Sequence, residues 1–427
     1  MSGGGPRGGS RGQTRYRTAA AAAVCAAFCA FLAPCVSRAD TWRGKELERL
    51  WRTAAWHFGP FHIQPSLVLA NAGIDSNIYY SASEPTRDFT LTAGPSAAVY
   101  LPIHRRFVLS ASASPQYVWY SKTGRERTWN YYFTGSAALN LRRIFLRLDW
   151  DHSDARERWN TEIDIRPRRK EDGLGGSFLV QTSYRTSLSL SYRQAKYDYE
   201  NLDVESFNVR ERLNRMERYV DLTAYYQATS RTKLFLDFEY GLYDFDLAAT
   251  AALKDSRSRA AYGGLEFSPT GKIRGRIRLG YKIFDVKNPE GQDYRGLVGD
   301  SRVSVRLAKP FVVRASYKRD VNFSLWYNNA FYIGSTPGAG ASVYLLKFVR
   351  LDYDYSFGRN RYPAAQDVGG TDVKRLDDYR IHSAGLYFRI WEKTALGVIA
   401  SRWQRTSNLE SENDRRYFYG LNLAYDF

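Results

Sequence analysis

The sequence predicts an all-β chain, a transmembrane antiparallel up-and-down β-barrel of about eighteen strands, with sixteen as the alternative. Three observations carry this reading. Residues 272–284 read KIRGRIRLGYKIF, with Lys272, Arg274, Arg276 and Arg278 alternating with Ile273, Gly275, Ile277 and Leu279. A period of two smears around a helix but separates completely on a strand. Alternating segments of roughly ten to fifteen residues recur to the C-terminus, joined by connections that are short and long in turn. After residue 40 no apolar run reads as a membrane helix, because the charge-free stretch 321–346 is broken by Asn328, Asn329, Pro337, Gly338 and Gly340.

The elements follow in order. Arg11, Arg15 and Arg17 precede an apolar stretch from Thr18 to Pro34, and Ser37-Arg38-Ala39 supplies small residues for cleavage before Asp40. Residues 1–39 therefore read as a secretory signal peptide. All three cysteines, Cys25, Cys29 and Cys35, fall inside it. The processed chain would carry no thiol, which excludes disulfides, thiolate catalysis and cysteine metal sites. Residues 40–60 are expected to form a short periplasmic segment. A helix between Trp42 and Trp56 would plug the periplasmic mouth, meet a periplasmic partner or serve as a tether.

The barrel is expected over residues 61–427. Short connections are read at 101–106, 141–144, 184–187, 229–232, 268–272, 308–310, 345–347 and 391–393. Long polar ones are read at 80–88, 121–127, 156–173, 200–215, 247–257, 287–293, 361–375 and 408–414, with a tighter one near Trp326–Asn329. Roughly 22 residues per strand and connection suit tilted membrane strands of ~9–11 embedded residues. Short turns would then lie on the periplasmic side with both termini, and long loops outside. The chain closes on RYFYGLNLAYDF, where Phe427, Tyr425, Leu423, Leu421, Tyr419 and Tyr417 form one stripe. A terminal aromatic on such a stripe, with Phe427, Tyr425 and Leu423 as its core, is the expected signal for the outer-membrane barrel assembly machinery.

Alternation also assigns the faces. Outward cations near the bilayer midplane would cost ~2–4 kcal/mol each, so the apolar set faces lipid and the cations face the lumen. Arg302, Ser304 and Arg306 alternate with Val303, Val305 and Leu307, and Arg314, Ser316 and Lys318 with Val313, Ala315 and Tyr317. Three neighbouring strands are thus expected to present a basic inner wall of Lys272, Arg274, Arg276, Arg278, Lys282, Arg302, Arg306, Arg314 and Lys318. Lys272, Arg274 and Arg306 would lie at its periplasmic end. Asp237 with Glu239, and Asp352 with Asp354, are read as inward counter-charges and not as catalytic carboxylate pairs.

Other constellations give no chemistry. In DWDHSD, Asp149 and Asp151 share one strand face and His152 takes the other, which does not converge on a metal or a nucleophile. No enzyme activity, metal or cofactor is expected. The chain holds 62 basic against 44 acidic residues, but cations on inner strand faces do not suit nucleic acid. Loop 156–173 is expected to lie solvated or against lipopolysaccharide phosphates.

The first strand is read as carrying GIDSNIYY, Gly73 to Tyr80, with Asp75 and Asn77 facing the lumen and Ile74, Ser76 and Ile78 facing outward. This segment, near the start of a signal-bearing barrel of this size, resembles the outer-membrane beta-barrel porin 2 family. The resemblance implies an eighteen-stranded barrel in the Gram-negative outer membrane that passes an exopolysaccharide, working with periplasmic polysaccharide-export proteins. Residue chemistry alone leaves two further expectations open. One is a general or anion-preferring diffusion porin, and the other is a surface-binding barrel with a closed lumen. The expected partners are outer-membrane lipid and lipopolysaccharide, the assembly machinery, and a polysaccharide or anionic solute.

Overall fold

The computed structural model describes the chain from Trp42 to Phe427, apart from residues 105, 160, 161, 163, 164, 205, 206, 269, 270, 327, 369 and 392. The expected signal peptide, residues 1–39, lies outside the described residues. The alternating segments pair into eighteen antiparallel strands. They are β1 (Phe61–Asp75), β2 (Asp88–His104), β3 (Phe107–Ala113 resuming as Gln116–Tyr120), β4 (Thr128–Leu141), β5 (Ile144–Arg156) and β6 (Arg168–Gln181). There follow β7 (Thr186–Tyr199), β8 (Arg215–Thr229), β9 (Thr232–Phe245), β10 (Ser256–Phe267), β11 (Ile273–Val286) and β12 (Tyr294–Ala308). The last six are β13 (Phe311–Phe323), β14 (Phe331–Leu346), β15 (Val349–Val368), β16 (Thr371–Trp391), β17 (Thr394–Ser407) and β18 (Asp414–Asp426).

Each strand bonds to its sequence neighbours, and β18 returns to β1 with Ser66 opposite Asp426 and Asp75 opposite Phe418. Closure pairs every edge, which hydrocarbon requires of a sheet that spans it. Two irregularities have local causes. Pro115 has no N–H to give, so β3 breaks at Ser114–Pro115 and pairs with β2 in two pieces. On β1 the register shifts near Asn71, whose φ of 53° is a left-handed conformation that asparagine tolerates.

The faces sort by parity. On β9, β11 and β12, Leu236, Phe238, Leu279 and Leu297 are exposed outward, with Leu297 at 70%. Across the apolar band of the same strands the opposite parity carries the charges, such as Asp237, Glu239, Arg276, Arg278 and Arg302. Leu279→Arg is therefore expected to destabilise the barrel by ~2–4 kcal/mol. Urea unfolding in lipid would measure this, and a silent substitution would mean that the faces are reversed.

Several boundaries move from their sequence-based positions. β1 ends at Asp75, so Ser76 to Tyr80 form a turn and not strand. Ile78 does not face outward; it is buried against Val118 and Tyr120. Loop 156–173 shortens, because Arg168 to Gly173 belong to β6. Residues 361–375 are not a loop: β15 and β16 continue as a hairpin in which Asp367 pairs with Asp372.

The N-terminal segment contributes helix α1 (Trp42–Arg52). It lies inside the short-turn end of the barrel, with Leu47 packed on the inward-facing Ala138, Phe145 and Leu179. A Cβ at Gly44 would come within 2.1 Å of the Asn140 amide, so glycine there permits the close approach of helix to wall. Trp51 meets His62 of β1 edge to face at 4.8 Å.

Candidate functional site

The barrel interior is the candidate site, and it divides along the membrane normal. Strands β8 to β15 supply one charged wall. Arg276 on β11 stands directly opposite Arg302 on β12, and Arg274 opposite Ser304. These side chains, with Arg314, line a cavity of about 930 Å³ towards the short-turn end. Arg276 has Glu266 at 3.6 Å, whereas among the described residues Arg274 and Arg302 have no carboxylate partner. Lys272 and Arg306 lie at the strand ends of the same region, joined through the Arg306 N–H donating to the Lys272 carbonyl at 2.7 Å.

Higher on the same wall the cations are neutralised. The Arg278 guanidinium reaches Asp237 at 2.6 Å and Glu239 at 3.1 Å. Lys282 bridges Glu239 and Asp320 at 3.4 and 2.8 Å. At the level of the short-turn cavity itself, Arg314 pairs with Asp354 at 3.0 Å, and near the short turn Arg350 pairs with Asp352 at 3.0 Å. The inner wall is thus mixed: three of the cations read as a continuous basic row, Arg278, Lys282 and Arg314, are held by carboxylates that reach across from strands two away. Opposite charges across a strand pair stabilise it, and like charges directly opposite do not. Gly280, between Arg278 and Lys282, leaves room for the Tyr262 ring, which a Cβ there would approach to 2.5 Å. The Arg278 guanidinium sits 3.5 Å from that ring's centroid.

Towards the long-loop end the lumen holds a second cavity of about 650 Å³. Its lining includes Trp159, Tyr197, Tyr219, Arg215, Lys318 and Asn360. Above it the loops fold inward. Trp159 and Ile165 from loop 157–167, Val209 and Leu213 from loop 200–214, and Leu325 from loop 324–330 share one apolar cluster. Glu162 is buried at the centre; it accepts from the Ser324 hydroxyl at 2.7 Å and the Leu325 N–H at 2.9 Å. Burial pushes its carboxyl pKa up, and the Arg375 charge opposes that shift. Lys254, fully buried on loop 246–255, donates to the Ser324 carbonyl. Burial lowers its pKa to about 7. Arg375 on β16 pairs with Asp377 at 2.9 Å and with Glu412 at 2.8 Å. Segments from distant parts of the rim therefore meet across the mouth.

The expectation that loop 156–173 lies solvated or against lipid is overturned for its described part. On its other flank Arg166 bonds to the Tyr120 hydroxyl, and Arg158 and Arg166 line a cavity of about 390 Å³ with Asp75, Tyr80 and Arg416. Asp75 is inward, as the alternation implied, and is engaged by Arg416 at 2.6 Å. Asn77 sits in the turn, where its amide donates to the carbonyls of Ser81 and Arg415 at 2.8 and 3.2 Å. Both side chains thus tie the β1 end to β18. His152 lies on the outer face, 2.6 Å from Asp172, and Asp149 and Asp151 lie inside, paired with Arg147 and Arg193.

Sequence reasoning missed Glu162, Lys254, Ser324 and Arg375. The signal that could have found them was the apolar content of nominally polar loops: Trp159, Ile165, Val209, Leu213 and Leu325 need cover that a solvated loop does not provide. At the other extreme, the terminal stripe is outward, with Tyr419 and Leu421 exposed, and Tyr425 packs edge to face on Phe427 at 4.7 Å. Leu423 pairs with Leu69 and Leu396 on the flanking strands.

Among the described residues no group of three or more His, Cys, Asp or Glu side chains could hold a metal ion. No curated protein matches the chain. Solved barrels align over most of it. OpdK of Pseudomonas aeruginosa, crystallised with vanillate, is 11% identical, with 86% of this chain and 98% of that one covered and a TM-score of 0.49. OpdQ of Pseudomonas aeruginosa is 12% identical, with 86% and 98% covered and a TM-score of 0.48. The siderophore receptor PirA of Acinetobacter baumannii is 8% identical, with 86% and 80% covered and a TM-score of 0.45. At such identities and scores they carry no argument about substrate. The family model described as "Putative beta-barrel porin 2" matches residues 53–427. The chain therefore belongs to the beta-barrel porin 2 family and is a porin-like β-barrel of the Gram-negative outer membrane.

Proposed function

We propose that the protein is a gated channel through which an exopolysaccharide leaves the cell, entering by a basic periplasmic vestibule and passing beneath inward-folded loops. The observation that carries this reading is the pairing of Arg276 directly opposite Arg302, with Arg274 close by, at the end that carries the short turns. Like charges held face to face cost stability, and a passing anionic group would offset that cost. The tyrosine- and tryptophan-bearing chamber above offers rings and hydrogen-bonding groups to sugar units. In this reading passage involves no covalent chemistry and no cofactor, and a periplasmic export complex delivers the polymer to the mouth that holds α1.

Two measurements test it. Deleting the gene should abolish extracellular polymer while polymer accumulates in the periplasm, and unchanged secretion would sink the export reading. In planar bilayers, Arg274→Ser with Arg302→Ser should lower the anion-to-cation permeability ratio by about twofold or more; an unchanged ratio would remove the vestibule from the pathway. The inward-folded loops also suit a surface-binding barrel with a closed lumen. Conductance that stays silent after the loops are loosened would favour that second reading.

A further inference from the structure

The outward face of the barrel is not apolar throughout. At the short-turn end it exposes Phe61, Leu307, Phe311 and Trp391. Towards the long loops the same parity turns cationic in two separate places. On β16 to β18, Arg380 stands opposite Gln404, and Gln404 opposite Arg415. Two residues nearer the membrane, Arg402 stands between His382 and Tyr417. All three arginines are exposed and share the face of Leu386, Val398 and Leu421. Among the described residues none of the three has a carboxylate within ion-pair distance; Arg402 donates to the Gln404 amide oxygen at 2.9 Å.

The second place is on β10 to β12. Arg259 and Arg295 flank Ile283 in one cross-strand row, and Arg257 lies opposite Asp285 in the next. Asp285 is the one carboxylate within reach among the described residues, at 3.4 Å from Arg257 and 2.8 Å from Arg259. Each patch therefore keeps a net positive charge on a surface that no strand covers. Each also sits just above exposed aromatic and aliphatic side chains: Tyr419 and Leu421 below the first, Tyr281 and Leu297 below the second. Outward tyrosines mark the membrane interface of such barrels. The arginines thus stand at headgroup depth, with a surface for acyl chains directly beneath.

That combination selects the ligand. A guanidinium matches phosphate bidentately, and basic residues near an anionic membrane surface are drawn to its headgroups. A soluble anion would use the charges and leave the apolar surface idle. We propose that the two patches, Arg380/Arg402/Arg415 and Arg257/Arg259/Arg295, each bind the phosphate group of a phosphorylated glycolipid in the outer leaflet. The lipid collar so formed would brace the strand ends from which the inward-folded loops spring.

The test uses the full barrel in non-ionic detergent and native mass spectrometry with bisphosphorylated lipid A, the same glycolipid dephosphorylated, and inorganic phosphate as competitor. The wild type should retain two lipid A molecules. The variant R380Q/R402Q/R415Q and the variant R257Q/R259Q/R295Q should each retain one. Dephosphorylation should weaken retention by about tenfold or more, and millimolar inorganic phosphate should not displace the lipid. Equal retention by wild type and variants, or equal retention of the dephosphorylated lipid, overturns the proposal. Displacement by inorganic phosphate also overturns it, since the patches would then be plain anion sites. Should one triple variant fail to fold, the other patch decides by itself.

Discussion

Glu162→Ala should open the channel. Single-channel conductance of the refolded protein is expected to rise by about an order of magnitude or more, with the barrel still folded. The wild-type carboxylate is buried where loop 157–167 meets loop 324–330, and it takes hydrogen bonds from Ser324 and Leu325. Truncating it leaves the Leu325 N–H, the Ser324 hydroxyl and the buried Lys254 charge without their nearby anion, while Arg375 keeps Asp377 and Glu412. Breaking a buried charged constellation from one side costs ~3–5 kcal/mol. A shift of that size turns a mouth that is closed ~99% of the time into one that is mostly open. The strands do not share the loss, because their ladder closes through β1 and β18 far from this contact. Planar-bilayer recording reads the result directly, and unchanged conductance would mean that these loops do not obstruct the path.

Lys254→Met should act in the opposite direction and tighten the mouth. Lys254 is fully buried and its ammonium donates to one carbonyl, that of Ser324. Its pKa falls from 10.5 to about 7 in the closed arrangement. A base whose pKa is depressed on closing is penalised fully below the lower value and not at all above the higher one. Closure in the wild type should therefore strengthen as pH rises from 7 to 10.5, by about 1.4 kcal/mol for each unit of pH relieved. The methionine variant keeps the volume and loses the charge, so its conductance should be lower at pH 7. It should also lack the alkaline limb that the wild type shows. Glu162 contributes a limb of opposite sign at lower pH, because its raised pKa favours closure when it is protonated. The difference between wild type and Lys254→Met isolates the lysine. Identical pH profiles would remove Lys254 from the gate.

The strand count, the closure and the inward parity of Arg274, Arg278 and Asp352 were legible because a period of two has one physical meaning in a membrane. Alternation fixes parity, but it does not fix depth. Arg380, Arg402 and Arg415 keep the lipid-facing parity of Leu421 and are charged because they stand above the hydrocarbon. Parity was also silent on partners. Arg278 reads like Arg274 in sequence, and only the register that brings Asp237 and Glu239 beside it shows it to be neutralised. Turn residues misled at 361–375, where Pro363, Gly369 and Gly370 suggested a loop but the cross-strand ladder resumes beyond an irregularity. The inward fold of loop 157–167 depends on long-range contacts, such as Glu162 with Ser324, that no local pattern encodes.

If the inward-folded loops close the mouth, the chamber lined by Trp159, Tyr219 and Asn360 is sealed from outside. Residues 40–427 contain no cysteine, so a single thiol can be placed without background. Thr336, which lines the chamber and hydrogen-bonds the Tyr379 hydroxyl at 2.8 Å, is the position of choice. The measurement is the labelling rate of Thr336→Cys by a membrane-impermeant maleimide added outside intact cells, alone and combined with Glu162→Ala. Slow labelling is expected for Thr336→Cys alone, and a rate about a hundredfold faster in the combination. Fast labelling at the same rate in both would contradict it, because the mouth would then already be open.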